Sequence, residues 1–447
     1  MLYYSTNKKS PLVNFREAAI TGIAPDKGLY FPKTIPVLSP DFFKQLKTKS
    51  KEQIAFEVIR PYIGNTIPEE DLFAICAETV NFDFPLKKIN ESIYSLELFH
   101  GPTLAFKDVG ARFMSRCLGY FSEKNDKKVT VLVATSGDTG SAVANGFLDV
   151  KGVDVVILYP SGKVSKIQEL QLTTLGKNIK ALEVRGTFDD CQSMVKQAFS
   201  DEQLNKNLSL TSANSINIAR WLPQQFYYFY ALQQWPHETP PVVSIPSGNF
   251  GNLCAGLLAY FSGLPVKHFI AACNSNDIFS DYIANKVFMP KIAVATISNA
   301  MDVGNPSNFV RLLELFENNH KHIKEMISEC CVNDTATAET ILEVYKKYDY
   351  ILDPHGAVAY QALQQYLETN KNPSAALSLP QEGQKGILLE TAHPVKFEDV
   401  VKKIINRPLE IPSSLKYILE LDKKSIVIKP EFQELKDFLL RANCGDN

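Results

Sequence analysis

Strong charge of either sign is missing from this chain. Its 47 Lys and Arg nearly balance 49 Asp and Glu, a formal net charge of -2 over 447 residues. Bulk electrostatics therefore give no footprint for nucleic acid or an anionic membrane, and neither is expected as a partner. Long apolar runs are missing too: the richest stretches, such as 129–134 and 153–159, fall far short of a bilayer span. The opening MLYYSTNKKS has no apolar run behind its lysines and does not read as a secretory signal, so a cytoplasmic protein is expected. The eight cysteines (Cys76, Cys117, Cys191, Cys254, Cys273, Cys330, Cys331 and Cys444) contain no CxxC pair, and the adjacent Cys330 and Cys331 are poorly disposed for a disulfide. Reduced, buried thiols are the expectation. The seven histidines are dispersed, and His320 and His322 are two apart in a helical pattern, off a common face, so no metal site is expected. No repeat, no P-loop ending in Gly-Lys-Ser/Thr and no GxGxxG fingerprint occurs.

What is present is material for a large core: 45% hydrophobic and 21% charged residues, in a length that allows roughly two to four domains. Residues 1–85 are mixed, with helical patterns over Ser39–Lys47 and Lys51–Tyr62. Beyond them, apolar runs recur at 129–135, 153–159, 179–184, 242–246, 266–272 and 386–391. They are rich in Val, Ile and Leu with few polar breaks, as strands buried on both faces of a parallel sheet are. Helical segments lie between them; one opens at Thr187, with Asp190 three positions on as a capping box, and runs through Cys191, Met194, Val195 and Ala198. Alternating strands and helices predict α/β architecture. The stretch 205–240 divides the strands into two groups, which predicts two lobes, each with a mainly parallel sheet flanked by helices. The expected organisation is a mixed N-terminal domain (1–85), a two-lobed region (86–395) and a charged helical extension (396–447).

Three segments carry chemistry. HGPTLAFKD, His100–Asp108, sets Lys107 among small and apolar residues after a Gly-Pro turn. Such a lysine is either an ordinary surface charge or a desolvated amine able to condense with an aldehyde. Asp108 beside it is either its ion-pair partner or a helix N-terminal carboxylate. ATSGDTGSA (134–142) and PSGNFGN (246–252) are Gly-rich turns that each follow a strand and open a helix. Converging N–H groups there can hold a phosphate or carboxylate. In the second, Asn249 and Asn252 add amides but no cation, which suits a permanently bound phosphate ester; Asn249 as a simple turn residue is the other reading. Lys163 and Arg220 read as solvated charges or as ligands, and His393 as a turn residue or a catalytic group. An enclosed lysine, a neutral phosphate cradle and two α/β lobes together point to pyridoxal 5'-phosphate.

HGPTLAFKD, ATSGDTGSA, SANSINIAR, SIPSGNFGN, ISNAMDVGNPSN and TAHPVKF, in this order, resemble the motif series of the threonine synthase family, and NFREAAITGIAPDKGLYFP resembles that family's N-terminal domain. The resemblance covers nearly the whole chain. It implies a fold type II pyridoxal phosphate enzyme in which Lys107 binds the cofactor aldehyde and Gly248, Asn249, Phe250, Gly251 and Asn252 bind its phosphate. Thr391 falls against the pyridine nitrogen, and Ser136, Gly137 and Thr139 face the substrate α-carboxylate. Asp138 stands where many relatives of this fold carry Asn near the cofactor, which leaves its contact open. Lys163, Asn214, Ser215 and Arg220 are the candidates for the substrate phosphate. The implied reaction turns O-phospho-L-homoserine and water into L-threonine and phosphate, by a monomer or homodimer. The alternatives are a phospholyase or dehydratase of the same cofactor class, which would form 2-oxobutyrate, and a non-catalytic amino-acid- or phosphate-binding protein on the same scaffold.

Overall fold

The structure, a computed structural model, describes residues 1–123, 128–369 and 383–444, with side chains described to residue 441. Two short antiparallel strands open the chain, β1 (Tyr3–Ser5) and β2 (Tyr30–Pro32). The helices that follow begin where the sequence supplies caps: Asn14 with Glu17, and Ser50 with Gln53, form capping boxes that satisfy the first free N–H groups. The pattern over Ser39–Lys47 becomes a helix over Pro40–Gln45 and a 3₁₀ turn over Leu46–Thr48, and the second helix runs Lys51–Ile63.

The chain then lays down β3 (Leu86–Lys88) and β4 (Ile93–Glu97) in one sheet and crosses to another for β5 (Val129–Ala134), β6 (Val153–Pro160), β7 (Ile179–Val184) and β8 (Ser209–Ser212). It returns for β9 (Val242–Pro246), β10 (His268–Cys273), β11 (Ile327–Cys331) and β12 (Gly386–Glu390), and finally crosses back for β13 (Ile426–Ile428). The six-stranded sheet has the order β11-β10-β9-β12-β4-β3, parallel except for β3 on β4, and the five-stranded sheet, β13-β7-β6-β5-β8, is wholly parallel. All six residues of β5 are buried, as the unbroken apolar runs require when helices cover both faces. The α/β class and two-lobed expectation hold.

Three details differ from the sequence reading. Strands β3 and β4 precede the first group yet belong to the sheet of the second, so the 205–240 stretch does not divide the strands cleanly. Strands β8 and β11 are not legible as apolar runs; in β11 only Ile327 is buried and the rest is partly or well exposed, as on an edge strand. The C-terminal extension is not purely helical, because β13 pairs Ile426–Ile428 with Leu182–Val184 of β7. The helix after it, Phe432–Cys444, packs Leu435 and Leu439 against Cys191, Met194 and Val195 of the Phe188–Ser200 helix, whose Thr187–Asp190 capping box forms as expected. Cys76, Cys117, Cys191, Cys254 and Cys273 are free and buried, while Cys330 and Cys331 are free and partly or fully exposed; the Cys444 side chain lies outside the described residues. Among the described residues no helix is long and apolar enough to cross a membrane, and no His/Cys/Asp/Glu cluster could hold a metal.

Candidate active site

The site is organised by a short non-local ladder. Phe106 N–H donates to the Thr391 carbonyl at 2.9 Å, His393 N–H donates to the Leu104 carbonyl at 3.0 Å, and Ala105 and Ala392 form an antiparallel bridge between them. This pairing binds the segment before Lys107 to the segment after β12. Leu104 takes a left-handed conformation (φ 57°), and the Tyr227 hydroxyl donates to the Phe106 carbonyl. Lys107 then begins the helix Lys107–Glu123. Its side chain is 19% exposed, enclosed yet open enough for a ligand to reach.

Asp108 does not pair with Lys107. Its carboxylate accepts from the Thr103 N–H at 2.9 Å and from the Thr103 hydroxyl, closing the Gly-Pro turn. Burial raises this carboxyl, against those hydrogen bonds. The carboxylate nearest Lys107 is Asp138, the first residue of the helix Asp138–Phe147 after β5, with Oδ2 4.0 Å from Nζ. Asp138 Oδ1 accepts from Lys396 Nζ at 2.7 Å and from Gln168 Nε2 at 2.8 Å. Burial alone would raise Asp138, but the ammonium groups of Lys396 and Lys107 and the bonds from Lys396 and Gln168 hold it well below the usual carboxylate range. Burial pushes the Lys107 amine down; Asp138 opposes this, while Lys396 and Arg220 add to it. An amine so placed gives up its proton more readily than a solvated one.

The Gly-rich turn around Asp138 is shaped by its own residues. The Thr135 hydroxyl accepts from the Gly137 and Gly140 N–H groups at 2.9 and 2.8 Å. Gly137 has φ 136°, and a Cβ there would come within 2.4 Å of Gln168, so only glycine fits. Ser136 and Thr139 are half-buried on the same turn. Asn214, after β8, donates to the Ala134 carbonyl at 3.2 Å and so lies at the C-terminal end of β5.

Arg220, in the short helix Ile218–Trp221, is 3% exposed. Gly110, one turn beyond Lys107 and on the same helix face, lies against it: a Cβ there would meet the Arg220 carbonyl at 2.7 Å and Nε at 3.2 Å. Nε and Nη1 of this guanidinium have no hydrogen-bond partner, and burial lowers it to about 10. A buried cation with unsatisfied donors is costly unless an anion completes it.

The second Gly-rich turn follows β9, which pairs directly with β12, so Gly248–Asn252 and Thr391 both leave the C-terminal ends of neighbouring parallel strands. Ligands of such sheets bind at these ends. Phe250 (φ 58°) precedes the helix Gly251–Phe261, whose first turn no side chain caps. Asn252 Nδ2 is buried without a partner. The Asn249 amide instead braces the loop: it donates to the Ser215 Oγ at 2.8 Å and accepts from the Ser307 N–H at 2.6 Å. Asn308 also donates to Ser215 Oγ, and Arg311 donates to the Ser215 and Ile216 carbonyls. An uncapped helix start, an orphaned amide and a largely enclosed primary amine fit a phosphate ester that carries an aldehyde, as in pyridoxal phosphate.

Lys163 stands exposed in the turn after β6. Thr391 is 6% exposed. His393 caps the 3₁₀ turn Pro394–Phe397 by accepting from the Val395 N–H at 3.1 Å, and burial lowers its imidazole to about 4. Sequence reasoning missed Lys396, Gln168, Asn308 and Arg311. Lys396 lies inside the quoted TAHPVKF and Gln168 completes a capping box with Ser165, so neither advertises a place in the site.

A family model described as pyridoxal-phosphate dependent enzyme matches residues 77–377, one for the threonine synthase N terminus matches 2–80, and one for the threonine synthase C-terminal region matches 356–439. The threonine synthase of Buchnera aphidicola (subsp. Acyrthosiphon pisum) is 42% identical over 443 residues, 98% of this chain and 100% of that one. The crystal structure of threonine synthase from Escherichia coli superimposes with TM-score 0.90 at 41% identity, covering 99% of this chain and 100% of that one. The pyridoxal-phosphate-bound threonine synthase from Brucella melitensis does so with TM-score 0.90 at 32% identity, covering 99% of each chain. With this site, this fold and these likenesses over its full length, the chain belongs to the threonine synthase family of pyridoxal-phosphate-dependent enzymes.

Proposed function

We propose that the chain converts O-phospho-L-homoserine and water into L-threonine and phosphate. The observation that carries this reading is the buried Arg220 guanidinium, with two donors unpaired, pressed against the helix that begins at Lys107. A second anion, distinct from the cofactor phosphate, completes such a cation, and a substrate phosphate ester supplies one. Asn214 and Ser215 precede Arg220 on the same segment and add neutral donors; Lys163, exposed on its turn, joins them if the lobes close on substrate.

In this reading the Gly248–Asn252 turn holds the cofactor phosphate through its N–H groups and the Asn252 amide. Lys107 holds the cofactor aldehyde, and Thr391 offers a neutral hydroxyl to the pyridine nitrogen. The Ser136–Gly137–Thr139 turn takes the substrate α-carboxylate at a helix start. The bound cofactor supplies an extended π-system that stabilises negative charge at Cα. Lys107, its amine freed by the substrate's own amine, takes the protons that leave Cα and Cβ and returns one at Cγ, which becomes the methyl group, and one at Cα. Phosphate leaves from Cγ toward Arg220 as Cβ gives up its proton, and water then adds at Cβ. Enclosure of the site keeps water out until phosphate has gone. Work in the cytoplasm, as a monomer or homodimer, belongs to the same proposal; the five buried free thiols suit a reducing compartment.

The test is product identity. Purified enzyme with O-phospho-L-homoserine is expected to release phosphate and L-threonine in equal amounts. Phosphate accompanied by 2-oxobutyrate and ammonia would instead mark a lyase that adds no water at Cβ, and no phosphate release would refute the substrate class.

A further inference from the structure

Two ammonium groups, those of Lys107 and Lys396, face the one carboxylate of Asp138. Lys396 has a side chain with no exposed surface; its Nζ contacts Asp138 Oδ1 at 2.7 Å and the Thr103 carbonyl at 2.8 Å. Lys107 Nζ is 4.0 Å from Asp138 Oδ2, beyond hydrogen-bond distance. The carboxylate is therefore committed to Lys396 by direct contact and reaches Lys107 only through space. The pair is electrically balanced without a proton on Lys107.

The other charged groups around Lys107 leave it no spare anion. Arg220, on the Ile218–Trp221 helix, adds positive charge. Asp108, on the same helix as Lys107, is engaged by the Thr103 N–H and hydroxyl, and burial raises its carboxyl. His393, on the segment that carries Lys396, is driven neutral by burial. A proton on Lys107 would thus be an uncompensated charge in an enclosed space.

We propose that Lys396 is a positioning residue that sets the charge of the site: by holding Asp138 in a direct ion pair, it withholds that carboxylate from Lys107 and keeps the Lys107 amine free of its proton. This rests on the reading of Lys107 as the lysine that takes the cofactor aldehyde. The amine lone pair must be free for that step, in which nitrogen bonds to the aldehyde carbon and the carbonyl oxygen leaves as water. Without Lys396, the orphaned Asp138 carboxylate would draw Lys107 into an ion pair and hold its proton. A merely structural role, tethering the Thr103 carbonyl, makes no such demand.

The test follows covalent capture of pyridoxal phosphate by the full-length, cofactor-free chain. Capture is stopped by borohydride at timed intervals across a pH series and read by mass spectrometry on the peptide containing Lys107. Lys396→Met is expected to raise the pH midpoint of the capture rate by about one pH unit or more, the effect of an unmasked neighbouring charge. At a fixed pH below the midpoint that is about a tenfold slower capture. Lys396→Arg, which keeps the charge, is expected to restore the parent midpoint. Should Lys396→Met alone fail to fold, Lys396→Gln, which keeps a donor for the Thr103 carbonyl and removes the charge, takes its place and is expected to raise the midpoint likewise. An unmoved midpoint in either soluble comparison overturns the proposal. Lys107→Ala is the separating control: capture that persists in that variant refutes the assignment of Lys107 itself, whereas its loss there with an unmoved Lys396 midpoint refutes only the role of Lys396.

Discussion

Replacing Arg220 with methionine should make the free enzyme more stable and nearly inactive. The guanidinium is 3% exposed, leaves Nε and Nη1 unpaired, and burial lowers it to about 10 from an ordinary 12.5. A displacement of that size corresponds to a cost to folding of about 3 kcal/mol. Because the folded value is the lower one, this cost is fully present below about pH 10, where arginine is charged in both states, and fades as pH rises through that value. Arg220→Met keeps most of the apolar stem and removes the charge. For 447 residues, at about 2 cal/mol/K of unfolding entropy per residue, relief of about 3 kcal/mol raises Tm by about 3 °C. The same change strands the substrate phosphate in an enclosed site, which costs binding about 3–5 kcal/mol and lowers kcat/KM by about two to four orders of magnitude. Calorimetry with and without inorganic phosphate reads both consequences. Parent enzyme should gain Tm with phosphate, and Arg220→Met should start higher and gain nothing. A variant that melts below the parent and keeps its phosphate response would refute the reasoning, since the guanidinium would then serve the fold and not an anion.

Three further outcomes are expected. Lys107→Ala should abolish turnover while the fold persists, checked by phosphate release and circular dichroism; retained activity would remove the amine from the reaction. Thr391→Ala should keep the cofactor but slow loss of the Cα proton by about three- to thirtyfold, measured as exchange of substrate deuterium with solvent. Glu390, fully buried beside Asp353, has its carboxyl pushed well up by burial and by that neighbour. An acid with a raised folded value loses stability as pH climbs above its unfolded value, so the penalty grows from the ordinary carboxylate range upward. Glu390→Gln should therefore cost less than about 1 kcal/mol at mildly acidic pH and gain on the parent as pH rises; Tm measured from acidic to alkaline pH checks this, and a parallel pair of curves would contradict it.

Local chemistry made the centre of this site legible. A lysine after a Gly-Pro turn and two glycine turns between apolar runs are sequence-adjacent patterns, and the strands around them carry unbroken apolar residues because helices cover both faces. Lys396 is different. Its burial depends on the pairing of Leu104–Phe106 with Thr391–His393, contacts between segments almost 300 residues apart that no local pattern encodes. Asn249 and Ser215 likewise read as donors toward a ligand, yet in the fold the Asn249 amide is taken up by Ser215 and Ser307. Asp353, whose carboxylate contacts His355 and whose backbone N–H donates to Glu390 Oε1 at 2.6 Å, sits where a loop meets a strand end and has no signature at all. β13 is three residues long with two of them exposed, too short and too open to register as a strand.

That last strand has a consequence for how the protein is made. Among the described residues it alone flanks β7 on the side away from β6, so until it arrives that side of the sheet is an open edge of unpaired N–H and C=O groups. About 240 residues separate Val184 from Ile426, roughly 10–50 s of synthesis at about 5–20 residues per second. For that interval the nascent lobe offers a template for any extended strand, including that of a neighbouring chain on the same message. A ribosome that stops a few codons short of Ile426 would release a protein with its chemical groups in place and its most adhesive surface uncovered.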